Sequence, residues 1–242
     1  MLLAILLALG EPKTIGGGAN QPHLAATADG GFACVFIRNG NIEVSVSTDQ
    51  GKTWSAPAVA IDAKGKARGG MQRGPRVAVD GKKTIYVTAP LCFDEAEFAK
   101  KYPTSDLYLA VSTDGGKTFS KPVQVNDVPK KAPESLHWLA AASNGDVFVS
   151  WLDLRARDKG QDLAWVKITE QGKKIGKNQI LPGPICECCA PGLTVDPKGN
   201  PLLIYRESKA GNRAIFLATS TNGGASFSKV GRLNQGETKI DN

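Results

Sequence analysis

The chain has 242 residues and a mass of 25.6 kDa, enough for one sizeable hydrophobic core. Hydrophobic residues at 41% and charged residues at 22% rule out a disordered chain or a membrane-embedded one, and 27 glycines with 14 prolines suit many tight turns better than long helices. The net charge is +7, but the lysines are scattered and several recur at one turn position, the pattern of a solvated surface rather than of a nucleic-acid footprint.

Residues 1–10 (MLLAILLALG) read as the apolar core of an export signal, with a lead-in to residue 20, so the expected location is secreted or periplasmic. No later apolar run is long enough to span a bilayer. Strands are then expected near 23–28, 32–37, 42–48 and 57–61. A second group follows at 76–79, 84–90, 106–112 and 122–125, a third at 137–142, 147–152, 163–168 and 178–181, and a fourth at 192–195, 201–205, 214–219 and 229–233. Turn signals separate the first two strands of each group: Asp29-Gly30, Asp80-Gly81, Asn144-Gly145 and Asp196-Pro197-Lys198-Gly199. Helical periodicity is absent apart from a short helix expected within 94–101.

The third and fourth strands of a group are joined by a repeated motif. Ser47-Thr48-Asp49-Gln50-Gly51-Lys52-Thr53-Trp54 recurs as Ser112-Thr113-Asp114-Gly115-Gly116-Lys117-Thr118-Phe119 and as Ser220-Thr221-Asn222-Gly223-Gly224-Ala225-Ser226-Phe227. Asp114 and Asn222 lie 108 residues apart, two steps of 54, and midway stands a decayed copy, Glu170-Gln171-Gly172-Lys173-Lys174-Ile175. An acid that caps backbone N–H groups, a glycine and a hydroxyl that ties the loop make a structural turn, so Asp49, Asp114 and Asn222 are expected to be staples and not catalytic groups.

Four-stranded antiparallel units at this spacing describe an all-β fold, a β-propeller with four visible blades at about 21–62, 73–126, 135–182 and 190–235. The motif resembles the Asp-box, or BNR repeat, of the sialidase superfamily. The resemblance implies a six-bladed propeller, of which this chain would be a fragment, and a site on the face opposite the Asp-boxes. It also implies a chemistry: an arginine cluster grips the substrate carboxylate, a carboxylic acid serves as acid/base, and a tyrosine activated by a glutamate is the nucleophile. Arg76, Arg155, Arg206 and Arg213 are the candidates for the clamp, Asp153 and Glu134 for the acid, and Tyr205 with Glu207 for the nucleophile and its base. The family's Arg-Ile-Pro opening is absent, since Arg38 is followed by Asn39-Gly40. The functional expectation is a sialidase-like protein that binds or hydrolyses an anionic glycan, as a monomer, with no cofactor required.

The alternative is a non-catalytic propeller with a metal or partner-binding loop. Cys186, Cys188 and Cys189 bring three thiols onto one loop between Pro184 and Pro191, and thiolates with imidazoles suit copper or zinc. His23 and His137, the chain's two histidines, are expected at equivalent places near the axis and are candidate further ligands. A disulfide, Cys186–Cys189 or one to Cys92, is the first expectation for these thiols, metal the second and a catalytic thiol the third. Asp94, Glu95 and Glu97 read as a solvated loop rather than a calcium site. Cys34, in an apolar run, reads as a small buried hydrophobe, and Trp138, Trp151 and Trp165 as core.

Overall fold

The computed structural model describes residues 14–67, 69–70, 72–101, 103–132, 136–155, 161–209 and 212–234. The expected export segment and Glu134 lie outside these residues.

Antiparallel sheets with at most one short helix turn between strands make up the fold. The first comprises β1 (Asn20–Ala26), β2 (Phe32–Arg38), β3 (Asn41–Ser47) and β4 (Ala58–Ile61), paired in chain order. The second comprises β5 (Arg76–Val79), β6 (Ile85–Leu91), β7 (Asp106–Ser112) and β8 (Val123–Gln124), again in order. Between β6 and β7 lies the short helix α1 (Glu95–Phe98), capped by the Asp94 carboxylate, which accepts from Glu97 N at 3.1 Å. Its acids are engaged by lysines: Asp94 with Lys130 at 2.8 Å, Glu97 with Lys100 at 2.7 Å, and Glu95 with Lys66.

The next two groups differ from expectation. β9 (His137–Ala141), β10 (Val147–Asp153), β11 (Gln161–Thr169), β12 (Lys174–Ile175) and β13 (Gln179–Ile185) form one group, and β14 (Gly192–Val195), β15 (Pro201–Lys209), β16 (Asn212–Thr219) and β17 (Ser228–Arg232) the other. Both belong to one nine-stranded sheet, because β13 runs on from β11 to pair Ile185 with Glu207 of β15. Pro182 and Pro184 lie in β13 and carry no N–H, which suits a strand that leaves one ladder before joining the next.

Burial follows position. β10 (VFVSWLD) is buried along its whole length because it is covered on both faces, whereas β1 alternates between exposed and half-buried. Three apolar clusters fill the spaces between successive groups. Val35, Ile42 and Val44 meet Ile85, Val87 and Ala89; Tyr86, Leu109 and Val111 meet Val149, Trp151 and Val166; Phe148, Leu152 and Leu163 meet Leu193, Leu203 and Tyr205. The inner strands β1, β5, β9 and β14 lie side by side in that order.

The repeated motif folds as its residue types require. Ser47 Oγ donates to Asp49 Oδ1 at 2.9 Å and accepts from Gly51 N at 2.8 Å, while Thr53 donates to the same carboxylate from N (2.8 Å) and Oγ1 (2.6 Å). The second copy repeats this at Ser112, Asp114, Gly116 and Thr118. These bonds, those from the Thr53 side chain first, hold the Asp49 carboxyl down at about 2. In the fourth group Asn222 Oδ1 accepts from Ser226 N at 3.0 Å and its amide donates to Ser226 Oγ at 2.9 Å, so an amide replaces the acid without losing the loop.

The last glycine of each of the three later copies has a second task. Gly116, Gly172 and Gly224 have φ of +84°, +87° and +84°, and a Cβ there would lie 2.7, 2.6 and 2.3 Å from Val46, Val111 and Phe148 of the preceding group. The decayed third copy keeps this contact through Gly172 although Ile168 and Lys174 replace the two hydroxyl residues of the box. Each of these three turns thus presses against the previous sheet, and Trp165 Nε1 donates across the gap to Gly224 O at 3.1 Å.

Candidate functional site

The repeated turns and the cysteine loop fall at opposite ends of the last sheet. Leu202 pairs with Thr219 beside the Asn222 turn, and Lys209 pairs with Asn212 at the far end. Cys186 N donates to Arg206 O at 2.8 Å, which ties the cysteine loop to the Lys209 end. The end opposite the Asp-boxes is therefore where Arg206, Arg213 and the thiols gather.

Register identifies equivalent positions on the inner strands. Ser47 pairs with Phe32, which pairs with Ala26, and three positions before Ala26 is His23. The same count from Ser112 through Ile85 and Val79 reaches Arg76. From Ile168, four residues before Gly172 as Ser47 is before Gly51, it passes Val147 and Ala141 and reaches Trp138. In the fourth group it reaches Gly192. The third member of the series is thus Trp138 and not His137. The two side chains point to opposite faces, as neighbours on a strand must. Contacts agree: the Trp138 ring meets His23 edge-on at 5.5 Å, and the Arg76 guanidinium lies 5.0 Å from its centroid. His137 is 1% exposed and its Nε2 is 3.0 Å from Thr88 Oγ1.

His23 and Arg76 are engaged within the fold. His23 Nδ1 accepts from Val77 N at 3.2 Å, and burial first, then the Arg76 charge, hold its pKa down at about 4. Arg76 donates to the carbonyls of Gln72, Gly74 and Pro75 at 3.0, 3.4 and 3.2 Å. Gln72 in turn accepts from Ala190 N through Oε1 at 3.3 Å, so the first link between sheets reaches across to the cysteine loop.

Asp153 and Arg155 pair with each other. Asp153 is fully buried, and Arg155 Nε and Nη2 donate to its two oxygens at 2.8 and 2.9 Å. Arg155 N and Trp151 Nε1 donate to it as well, at 2.8 and 3.1 Å, while Arg155 also holds Asp127 at 2.8 Å. Neither residue lines the clefts that Arg206 and Arg213 border. Tyr205 and Glu207 are neighbours on one face of β15, but that face packs against the preceding sheet. Tyr205 is 4% exposed and stacks on Phe216, and burial first, then the Glu207 charge and hydrogen bond, push its phenol up to about 12. Glu207 also takes Lys229 at 2.7 Å.

Arg206 and Arg213 lie on the opposite face of the β15–β16 pair. Arg206 pairs with Ile215 and Arg213 with Ser208, so the two arginines are diagonal neighbours. They line a cleft of about 570 Å³ with Tyr205, Cys189, Ile204, Ile215, Gln72 and Asn234, where the Cβ-less Gly192 leaves room. Arg213 also borders an adjoining cleft of about 350 Å³ formed by Pro184, Cys186, Glu187, Cys188 and Ser208. Sequence reasoning found the arginines and missed Gln72 and the platform of Ile204 and Ile215; alternation along β15 and β16 was the signal that could have found the isoleucines.

All five cysteines are free thiols, which corrects the expected disulfide. Cys92 Sγ donates to Asp94 O at 3.5 Å on another loop. Cys186, Cys188 and Cys189 form a triangle with Sγ–Sγ distances of 3.5, 3.4 and 3.9 Å, and neither histidine belongs to it. Arg206 Nη1 donates to Cys189 Sγ at 3.3 Å. Burial raises Cys189, but the Arg206 guanidinium and the neighbouring thiols more than offset it and hold this thiol below its ordinary value. Burial pushes Cys186 up.

Residues 38–240 match the family model described as a BNR repeat-like domain. No curated protein sequence matches the chain. Among solved structures, the Hadza microbial sialidase Hz136 is similar at 20% identity, with a TM-score of 0.56 over 88% of this chain and 46% of that one. The NanB sialidase of Streptococcus pneumoniae is similar at 13% identity, with a TM-score of 0.59 over 95% of this chain and 54% of that one. The α-L-arabinanase of Penicillium chrysogenum is similar at 14% identity, with a TM-score of 0.55 over 88% and 66%. The chain spans about half the length of the two sialidases, and at these identities the likeness is one of fold. With box turns on four successive strand groups and a family match over most of its length, the chain belongs to the BNR repeat-like family.

Proposed function

We propose that the cleft beside Arg206 and Arg213 binds the carboxylate of an anionic glycan, and that the chain belongs to a sialidase-like, carbohydrate-active protein outside the cytoplasm. The observation that carries this reading is the arginine pair on one sheet face, above the apolar Ile204–Ile215 platform, at the end away from the box turns. Guanidinium groups suit a planar carboxylate, and an apolar platform suits the less polar face of a sugar ring. The reading is one of binding rather than hydrolysis on these residues. Asp153 is buried against Arg155, and Tyr205, although it borders the cleft, is 4% exposed and stacked on Phe216, so neither the named acid nor the named nucleophile is presented openly beside the arginines.

Calorimetric titration with a sialic acid, a hexuronic acid and a neutral hexose tests it. One of the two acids should bind and the neutral sugar should not. Arg213→Ala should weaken the acid's Kd about tenfold or more, as expected for the loss of one charge-assisted contact. Equal binding of the neutral sugar, or an unchanged Kd in Arg213→Ala, would refute the reading. Turnover of a fluorogenic sialoside by this chain would replace binding with hydrolysis.

A further inference from the structure

We propose that Cys186, Cys188 and Cys189 form a trithiolate site for a single copper(I) ion. The geometry of the loop carries the inference. Ligands at about 2.3 Å from a common ion stand about 3.8 Å apart in a tetrahedron and about 4.0 Å apart in a trigonal plane. The three sulfurs already lie 3.4–3.9 Å from one another, so an ion at their centre asks for adjustments of a few tenths of an ångström. A disulfide would instead draw two sulfurs to about 2.05 Å and leave the third without a partner.

The backbone holds this triangle independently of any ion. Cys189 N donates to Cys186 O at 3.4 Å across a four-residue turn, and Cys186 N is fixed on Arg206 O at 2.8 Å. Three donors therefore come from one short, doubly anchored loop, which lowers the ordering cost of binding.

Donor chemistry selects the ion. Thiolates favour soft ions, chiefly copper(I) and zinc. Structural zinc sites are almost always four-coordinate. Among the described residues no histidine, aspartate or glutamate joins the cysteines, so a fourth protein donor is lacking and the three-coordinate preference of copper(I) fits better. Three thiolates around one copper(I) carry a net charge of −2, and the Arg206 guanidinium at 3.3 Å from Cys189 Sγ offsets part of it. The same contact favours the thiolate that a metal requires. Cys188 is exposed, which gives the ion a way in. None of this rests on the glycan reading, and the readout below does not involve a sugar.

The test is competition between the reduced full chain and bicinchoninate for copper(I). We expect one equivalent to leave the chromophore per chain. Cys188→Ser, at an exposed position, should weaken retention at least tenfold, and Cys92→Ser, on another loop, should leave it unchanged. X-ray absorption of the loaded wild-type chain reads the site without any variant and should give three sulfur neighbours at one distance. No transfer from the competitor, unchanged affinity in Cys188→Ser, fewer than three sulfur neighbours, or retention of zinc in preference to copper(I) would each overturn the proposal.

Discussion

His23 shows how one side chain ties the axis to pH. Its imidazole accepts from Val77 N, meets the Trp138 ring edge-on and is partly buried near the Arg76 charge, so the folded chain resists its protonation down to about pH 4. In the unfolded chain the same group titrates near 6.5. Between these values the unfolded state binds the extra proton and the folded state does not. Stability is therefore fully present above about pH 6.5 and falls as the pH is lowered towards 4. Thermal unfolding across this range should show the decline, and His23→Gln, which keeps an acceptor but no basic group, should flatten it. Asp153 makes a second case, for buried charge. Arg155→Ala would strand a fully buried carboxylate that now takes two guanidinium bonds, and should lower stability by about 3 kcal/mol in urea unfolding.

The box turn combines a local staple with a contact between sheets. Its Ser, Asp and Thr bonds close within eight residues of chain, which is why the motif is readable as a string. The glycine contact with the preceding sheet is not local. Gly51, in the first group, has φ of +83° but no such neighbour, and its nearest atom beyond the adjoining chain is the Phe32 ring at 3.9 Å. Gly51→Ala should therefore cost only the left-handed backbone strain, about 1 kcal/mol. Gly224→Ala adds a collision with Phe148 at 2.3 Å and should cost about 1–3 kcal/mol more. Chemical denaturation of the two variants side by side separates the terms. Equal losses would mean that the close approach to the preceding sheet carries no energy.

Taken together, the groups bury their shared faces and leave the outermost ones open. Leu24 on β1 is 52% exposed, and Ile204 and Ile215 on the last sheet are 44% and 42% exposed. The arginine cleft lies on that last open face, so its apolar platform is available to a ligand. On the proposed reading a carboxylate would be held there by exposed or half-buried charge, so raising the salt concentration should weaken binding of the acidic sugar, and loss of that dependence in Arg213→Ala would locate the effect. Among the described residues no helix is long and apolar enough to cross a membrane.

Strand positions, hairpins, box turns and their spacing were legible in the string of residues because each depends on neighbours a few positions away: alternating burial, an aspartate over its own loop, a glycine in a turn. The decayed copy was found the same way, through Gly172. Side-chain direction was not secured by that reading. A shift of one position moves a strand residue to the other face, and this is why His137 was expected where Trp138 stands. The joining of the last two sheets through β13, the reach of Arg155 to Asp127, and the approach of Arg206 to Cys189 each bring together groups from different strands or loops. Such meetings depend on register and packing across the whole chain, which no local pattern encodes, and they determine which of the candidate groups face a cleft and which serve the core.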